Sequence, residues 1–216
     1  MLIDLHAHEN RHSPDSFQTL DQMTRRAKTL GIDALCITDH DTQGLAAEIG
    51  WESLHNGVRV FIGCEVYTYE GDILVFGAKT LPAERVPFLQ LADIVHAQHG
   101  AMIAAHPYRH NERGIKDGIL RFAHYLTAVE GYNGSTFDAD NLHAHRQAVR
   151  TGLPVTGAGD SHNPEAIGRF VTRFDKDIDS VATLVHELKK GAFVPCRPGP
   201  DGYEEIVLEE SREIVI

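Results

Sequence analysis

"IDLHAHEN", residues 3–10, decides how the rest of the chain reads: an apolar, β-prone start runs straight into two histidines two residues apart, with Asp4 before them and Glu9 after. Residues i and i+2 of a strand point the same way, so His6 and His8 share a face and can address one ion together. The same figure then recurs. "IDALCIT" runs into Asp39, His40 and Asp41, "VRVFIGC" into Glu65, "AMIAA" into His106, "LTAV" into Glu130, and "LPVTGAG" into Asp160 and His162. Counting the first, six apolar runs end in His, Asp or Glu. A lone histidine at a strand end is ordinarily a hydrogen-bonded structural residue, but six such ends together point to one shared site.

Helix-period segments separate these runs. "TLDQMTRRAKTLG" reads as a helix with capping-box spacing between Thr19 and Gln22 and a closing Gly31. "TQGLAAEIGWESLHNG" (42–57) reads as a second helix. "AERVPFLQLADIVHAQHG" (83–100) reads as a third, in which Pro87 must sit in the first turn or break it. Further helices are expected over 115–124, 138–151 and 178–190. "DILVFGA" returns as a strand after Glu70-Gly71-Asp72, a hairpin turn. "PCRPGPDG" (195–202) reads as a loop before the short strands "EIVLEE" and "EIVI". The alternation predicts an α/β fold, a mostly parallel sheet or barrel with its site at the carboxyl ends of the strands. A single domain is expected: residues 1–194 form the barrel, and 195–216 are a C-terminal loop and short strands completing it.

Composition narrows the function classes. The 216 residues carry 31 acidic against 20 basic side chains, a formal charge of −11, so no long-range positive field draws in a polyanion and nucleic acid is disfavoured as a partner. Cys36, Cys64 and Cys196 are scattered, with no C-x-x-C pair, which argues against a disulfide framework and a thiolate zinc site. No basic leader and no membrane-length apolar run is visible, so a cytoplasmic protein without a membrane partner is expected. Imidazole with carboxylate suits Zn, Mn or Fe, and ligands without thiolate suggest a catalytic rather than a structural site. Asp39 and Asp41 flank His40 and are placed to orient its ring. His12 and His110 follow strand ends, within reach of a substrate or as proton donors. Arg109 and Arg169 are candidate phosphate clamps, because a guanidinium fork matches phosphate oxygens.

Taken together, "DLHAH" (4–8), "TDHD" (38–41), "GCEV" (63–66), "AHP" (105–107) and "GDSH" (159–162) resemble, in order, the motifs of the polymerase and histidinol phosphatase (PHP) family of metal-dependent phosphoesterases. The resemblance implies a distorted (β/α)7, TIM-like barrel with two or three divalent ions at its carboxyl rim. It implies that His6, His8, Glu65 and Asp160 hold one ion, that Glu65 bridges to a second bound by His106, and that Asp15, His40 and His162 hold a third. Many members place a further histidine on the strand after "AHP". This chain has "AVEGYNG" there, so Glu130, Asn133 or no residue completes the second site.

The leading functional expectation is a hydrolase that cleaves a phosphate ester of a small molecule, a monoester in preference to a diester, by hydroxide held at the ions. No serine or cysteine nucleophile signature competes with it. Alternatives from other classes are a phosphodiesterase or exonuclease of the same family, a hydrolase of C–N or C–O bonds on a similar strand-end site, and a catalytically weak metal-binding module. Asp4, beside the first motif, is a further acid/base or ring-orienting candidate.

Overall fold

The computed structural model describes residues 1–208. Strand β1 (Leu2–Ala7) leads to α1 (Leu20–Thr29), β2 (Ala34–Ile37), the short α2 (Ala46–Ile49), β3 (Glu52–His55), β4 (Val58–Ile62), β5 (Cys64–Tyr67) and β6 (Asp72–Phe76). Then come α3 (Phe88–Ala97), β7 (Ala101–Ala104), α4 (Gly118–Phe122), β8 (Ala128–Asn133), α5 (Asp138–Thr151) and β9 (Val155–Ala158). The described chain ends with β10 (Val171–Phe174), α6 (Val181–Lys190), β11 (Phe193–Gly199) and β12 (Gly202–Glu205).

The fold is mixed α/β, as expected, and its strands hydrogen-bond as two sheets, in the orders β12-β11-β10-β1-β2-β4-β3 and β5-β6-β7-β8-β9. The parallel pairs are β1 with β2, β2 with β4, β7 with β8 and β8 with β9. The ladders do not join into one closed sheet. At each seam the sheets touch through a single parallel bridge, Ala7 to Ser161 and His40 to Glu65, so both seams lie beside expected site residues. Gly63 carries the chain from one sheet to the other, between β4 and β5. A Cβ there would sit 2.6 Å from the Phe76 ring and 2.9 Å from the Val75 carbonyl, so only glycine permits the crossing.

Apolar side chains from both sheets, among them Ile3, Leu5, Phe61, Leu74, Phe76, Ile103 and Ala158, form a shared inner core. Helices α3, α4 and α5 cover the outer face of the second sheet through Phe88, Leu91, Ile119, Phe122 and Ala148. Met23 and Ala27 of α1 pack on the outer face of the first. Burial of this apolar surface is the main favourable term for the fold, at roughly 25 cal/mol per Å2.

Several local expectations hold and several are corrected. The Thr19–Gln22 capping box forms, with Gln22 N donating to the Thr19 hydroxyl and Thr19 N donating to the Gln22 side chain. The expected helix 138–151 is α5, and Pro87 is the residue before α3, so residues 83–87 stay outside it. The expected helix 42–57 stops at Ile49, and Glu52–His55 instead pairs antiparallel with β4. Asn56 and Gly57, both at positive φ (53° and 83°), make the tight turn that joins them, a turn chemistry that overrides the helical spacing before it. The "PCRPGPDG" stretch is not a loop: it lies in β11 and its hairpin to β12. "EIVLEE" reaches only Glu205 of β12 before leaving strand geometry, its last two residues lie outside the described residues, and so does all of "EIVI".

Candidate metal centre

Strand β1 and the residue that follows it alternate Ile3, Leu5 and Ala7 with Asp4, His6 and His8, and all six are buried. Its end meets the ends of β2 and β9 and the start of β5, which brings His6, His8, Glu65 and Asp160 to one point. His6 Nε2 lies 3.3 Å from Glu65 Oε2 and 3.4 Å from Asp160 Oδ1, and His8 Nε2 lies 3.4 Å from each of the same two oxygens. His6, His8 and Asp160 form one set of mutually close donors, and Glu65 Oε2 adjoins it through both imidazoles, so the four are placed to share a cation. These four atoms are buried and none has a hydrogen-bond partner among the described residues. An unsatisfied buried polar atom costs about 1–3 kcal/mol, so four converging on one point mark a place shaped for a cation.

A second cage adjoins the first. Asp15 Oδ2 lies 3.2 Å from His40 Nε2 and 3.4 Å from His162 Nε2. The His8 ring stacks between those of His40 and His162, 4.3 Å from each. Each of the neighbouring imidazoles also meets a carboxylate: His40 Nε2 hydrogen-bonds Asp15 Oδ2 at 3.2 Å, and His106 Nε2 hydrogen-bonds Glu65 Oε1 at 2.8 Å.

The electrostatics agree with a cation site. Burial pushes the Glu65 and Asp160 carboxyls up, yet the surrounding imidazoles, with Arg109 beside Asp160, hold both well below the usual carboxylate range. Burial pulls the His8 imidazole down to about 4, so it is neutral and free to ligate at neutral pH. His6 goes the other way: burial lowers it, but Asp160, Glu130 and Glu65 together raise it well above an ordinary histidine.

Supporting groups fix the rings. Glu130 is fully buried and belongs to neither cage. Its Oε1 lies 2.9 Å from His6 Nδ1, while its Oε2 accepts from His106 N at 2.7 Å and Asn133 Nδ2 at 2.9 Å. The carboxylate therefore stands behind His6 and leaves His6 Nε2 for the cage. Asn133 likewise spends its amide on Glu130, Asp160 and Arg109. Asp39 and Asp41 do not hold His40. Asp39 accepts from Ser13 Oγ at 2.7 Å, and that hydroxyl lies 3.3 Å from His8 Nδ1, so Asp39 props His8 instead. Asp41 accepts from Tyr67 N. Asp4, pushed up to about 6 by burial, accepts from Gly159 N, Gly168 N and His6 N, and so ties β1 to the segment after β9 rather than facing a substrate.

A cleft of about 550 Å3 opens over the two cages, lined by Asp15, His40, Glu65 and His162 with Arg109 and Arg113. Arg109 reaches it and is also tied to the first cage, since its Nη2 contacts Asp160 Oδ2 directly and donates to Asn133 at 2.8 Å. Arg169 does not reach the cleft and donates to the Gly134 carbonyl from an exposed position. His110 is largely exposed beside Asp140, in a neighbouring cleft, and His12 sits against Glu9 and Glu48. Sequence reasoning missed Arg113 and its buried partner Asp72, which is pushed up to about 7 by burial and by Glu65. Neither lies at an expected strand end, and no residue spacing marks them.

A family model described as PHP-associated matches residues 138–193. Protein MJ1587 of Methanocaldococcus jannaschii is 32% identical over 143 residues, spanning 62% of this chain and 82% of its own. Among solved structures, PsfC of Pseudomonas syringae superposes with a TM-score of 0.74 at 17% identity, covering 90% of both chains. A two-domain Bacteroides vulgatus protein containing a predicted PHP-like metal-dependent phosphoesterase gives 0.67 at 17% identity, over 90% of this chain and 64% of its own. The lesion-specific endonuclease Q of Pyrococcus furiosus gives 0.66 at 17% identity, over 88% of this chain and 56% of its own.

Proposed function

The chain belongs to the PHP family, and from that premise we propose that it is a metal-dependent hydrolase of small phosphate esters, with monoesters preferred. The two sheets, meeting at bridges on both seams, are read as the distorted (β/α)7 barrel of that family with its ladders interrupted at the rim. The observation that carries the reading is the convergence of four buried atoms of His6, His8, Glu65 and Asp160, with imidazole–carboxylate distances of 3.3–3.4 Å and with Glu65 Oε2 also 2.9 Å from His40 Nδ1. Asp15, His40 and His162 would hold a further ion beside it. Zn, Mn or Fe suits this donor set.

Bound divalent ions would supply Lewis acidity and a lowered pKa for water at neutral pH. The chain's own residues do the rest. Arg109 and Arg113 present guanidinium N–H groups to phosphoryl oxygens in the cleft. Glu130 and Ser13 keep His6 and His8 turned inward. Asp160 stays ionised because the His6 and His8 imidazoles, and after them the Arg109 guanidinium, hold it low against the effect of burial.

The preference for a small substrate rests on the charge of −11. That charge does not by itself rule out nucleic acid, since endonuclease Q shares the fold and is a lesion-specific endonuclease. A reading as nuclease is therefore the second arm of one experiment. Turnover is measured on phosphomonoesters, simple diesters and short oligonucleotides, with metal content followed by elemental analysis. Chelation should abolish turnover, and Mn, Zn or Fe should restore it. Full activity without metal would sink the proposal, and a tenfold preference for oligonucleotides that weakens steeply with salt would make the chain a nuclease.

A further inference from the structure

The site residues do not fit three ions. Three groupings around the cleft bring ligand atoms close enough to share an ion: His6, His8 and Asp160; His6, Glu65 and His106; and His8, His40 and His162. An imidazole nitrogen serves one ion. His6 offers only Nε2, because Nδ1 faces Glu130. His8 Nδ1 is turned to Ser13. With His6 and His8 assigned to the first cage, the His40–His162 group still has Asp15 as its own third ligand. The Glu65–His106 group has none. Glu65 Oε1 and His106 Nε2 satisfy each other at 2.8 Å, and Glu130 is spent behind His6.

Beside that incomplete group stands a fixed cation. Asp72 Oδ2 lies 3.7 Å from His106 Nε2. Arg113 grips Asp72 with two bonds, Nε to Oδ2 at 2.6 Å and Nη2 to Oδ1 at 3.0 Å; its Nη1 makes no hydrogen bond among the described residues, and the side chain lines the cleft. The Tyr67 ring lies 4.3 Å from the guanidinium carbon. The backbone is built to hold it: Asp72 N donates to the Arg113 carbonyl at 2.7 Å, and Lys116 N donates to the Pro107 carbonyl at 2.8 Å. A Cβ on Gly71 (φ 147°) would lie 2.5 Å from Ile115 N, and one on Gly114 would collide with the Pro107 carbonyl. Two glycines thus let the 111–116 loop close onto β6 and the "AHP" turn.

We infer that this chain is a two-ion member of its family, in which the Arg113 guanidinium, anchored on Asp72, stands in for the second ion and binds the substrate's phosphoryl oxygens. The inference rests on the proposed hydrolase reading and refines it. A guanidinium there supplies a positive charge that a chelator cannot remove. It also offers directed N–H groups where an ion would offer an undirected charge.

The test counts ions and measures inorganic phosphate binding separately from turnover. Protein saturated with Mn and freed of excess is analysed by native mass spectrometry and elemental analysis, and the phosphate dissociation constant of the loaded protein is taken by calorimetry. Two ions per chain are expected. Arg113→Ala should weaken phosphate by about 10- to 100-fold, the loss of about 1.5–3 kcal/mol of charge-assisted bonding, without lowering the ion count. Arg113→Lys, which keeps a cation beside Asp72 and guards against misfolding, should bind phosphate at an intermediate strength. Three tightly held ions in the wild-type protein would overturn this inference alone. One ion or none would overturn the metal reading of the whole site with it. A folded Arg113→Ala protein that binds phosphate within twofold of wild type would reduce Arg113 to a partner for Asp72.

Discussion

Replacing Glu130 by Gln separates a residue that orients a ligand from one that is a ligand. Glu130 receives three donors: the Nδ1–H of His6 when its Nε2 faces an ion, His106 N, and Asn133 Nδ2. A glutamine of the same shape has one oxygen and one amide nitrogen. If the oxygen faces His6, the NH2 group points at two other donors. If the NH2 group faces His6, that ring must carry its proton on Nε2, where the ion should bind. Asn133 cannot relieve the conflict by flipping, because its Oδ1 accepts from Arg109 at 2.8 Å and Ser135 N at 2.9 Å while its Nδ2 also reaches Asp160. One buried mismatch costs about 1–3 kcal/mol, which lowers Tm by about 2–12 °C in a chain of this size. Loss of a partner that orients a metal-binding histidine costs about 10- to 100-fold in metal affinity. The assay is competition against a chromophoric chelator, with ion count and thermal melting measured on the same sample. The expected result is an unchanged ion count, weaker binding and a lower Tm. Binding within twofold of wild type and an unchanged Tm would refute the orienting role, and a count lower by one ion would make Glu130 a ligand after all.

Glu65 gives one oxygen to the first cage and the other to His106, so Glu65→Ala should lose both metal and turnover; full ion stoichiometry in a folded variant would show that the cage is centred elsewhere. Arg109→Ala should lower kcat/KM by about 10- to 100-fold for about 1.5–3 kcal/mol of lost charge-assisted bonding. Because Arg109 also holds Asp160, the same variant should bind metal more weakly, and unchanged metal affinity would return Arg109 to a purely substrate-facing role. His6 is raised well above an ordinary histidine in the metal-free protein, so it is protonated at neutral pH and an ion must displace that proton. Metal affinity should therefore rise with pH, and calorimetry in buffers of different ionisation enthalpy should register proton release; heats that do not depend on the buffer would contradict this.

How much of this was legible before the structure depends on what kind of order each residue obeys. Strand-end residues obey a local rule: the strand fixes their direction, and the fold collects the ends on one rim. That is why His6, His8 and Asp160 could be picked out by inspection and are found converging; Glu65, read as the end of "VRVFIGC", lies instead in β5, beyond the crossing at Gly63, and meets them from the other sheet. The two hairpins misread as helix and loop also obey local rules, but weaker ones. Asn56-Gly57 dictates a tight turn, yet the spacing of Leu45, Ala46 and Ile49 before it reads as helical, and it is helical as far as Ile49. In β11, Pro195 and Pro198 looked like breakers, although both sit in register opposite Thr172 and Tyr203.

Arg113 and Asp72 obey no local rule at all. An arginine in a polar loop has the same sequence context whether it is solvated or fixed, and Asp72 beside a turn glycine reads as turn chemistry. What distinguishes them is the approach of two backbone segments far apart in sequence, permitted by Gly71 and Gly114, which brings a buried carboxylate and a loop guanidinium to the side of Glu65 and His106. The departure that the sequence did display, Glu130 in place of a histidine, has its physical counterpart here. A carboxylate behind His6 strengthens the first cage and leaves the neighbouring group one ligand short. A cation supplied by the chain offsets the negative charge that would otherwise collect around Glu65 and Asp72. The substitution on β8 and the arginine in the 111–116 loop are thus two halves of one electrostatic arrangement, and Arg113 should be dispensable only in a chain that restores the missing imidazole. Glu130→His combined with Arg113→Ala and Asp72→Asn should accordingly take up an ion that neither Arg113→Ala nor the wild-type protein holds. An unchanged ion count in that folded triple variant would separate the two halves and leave each to be explained alone.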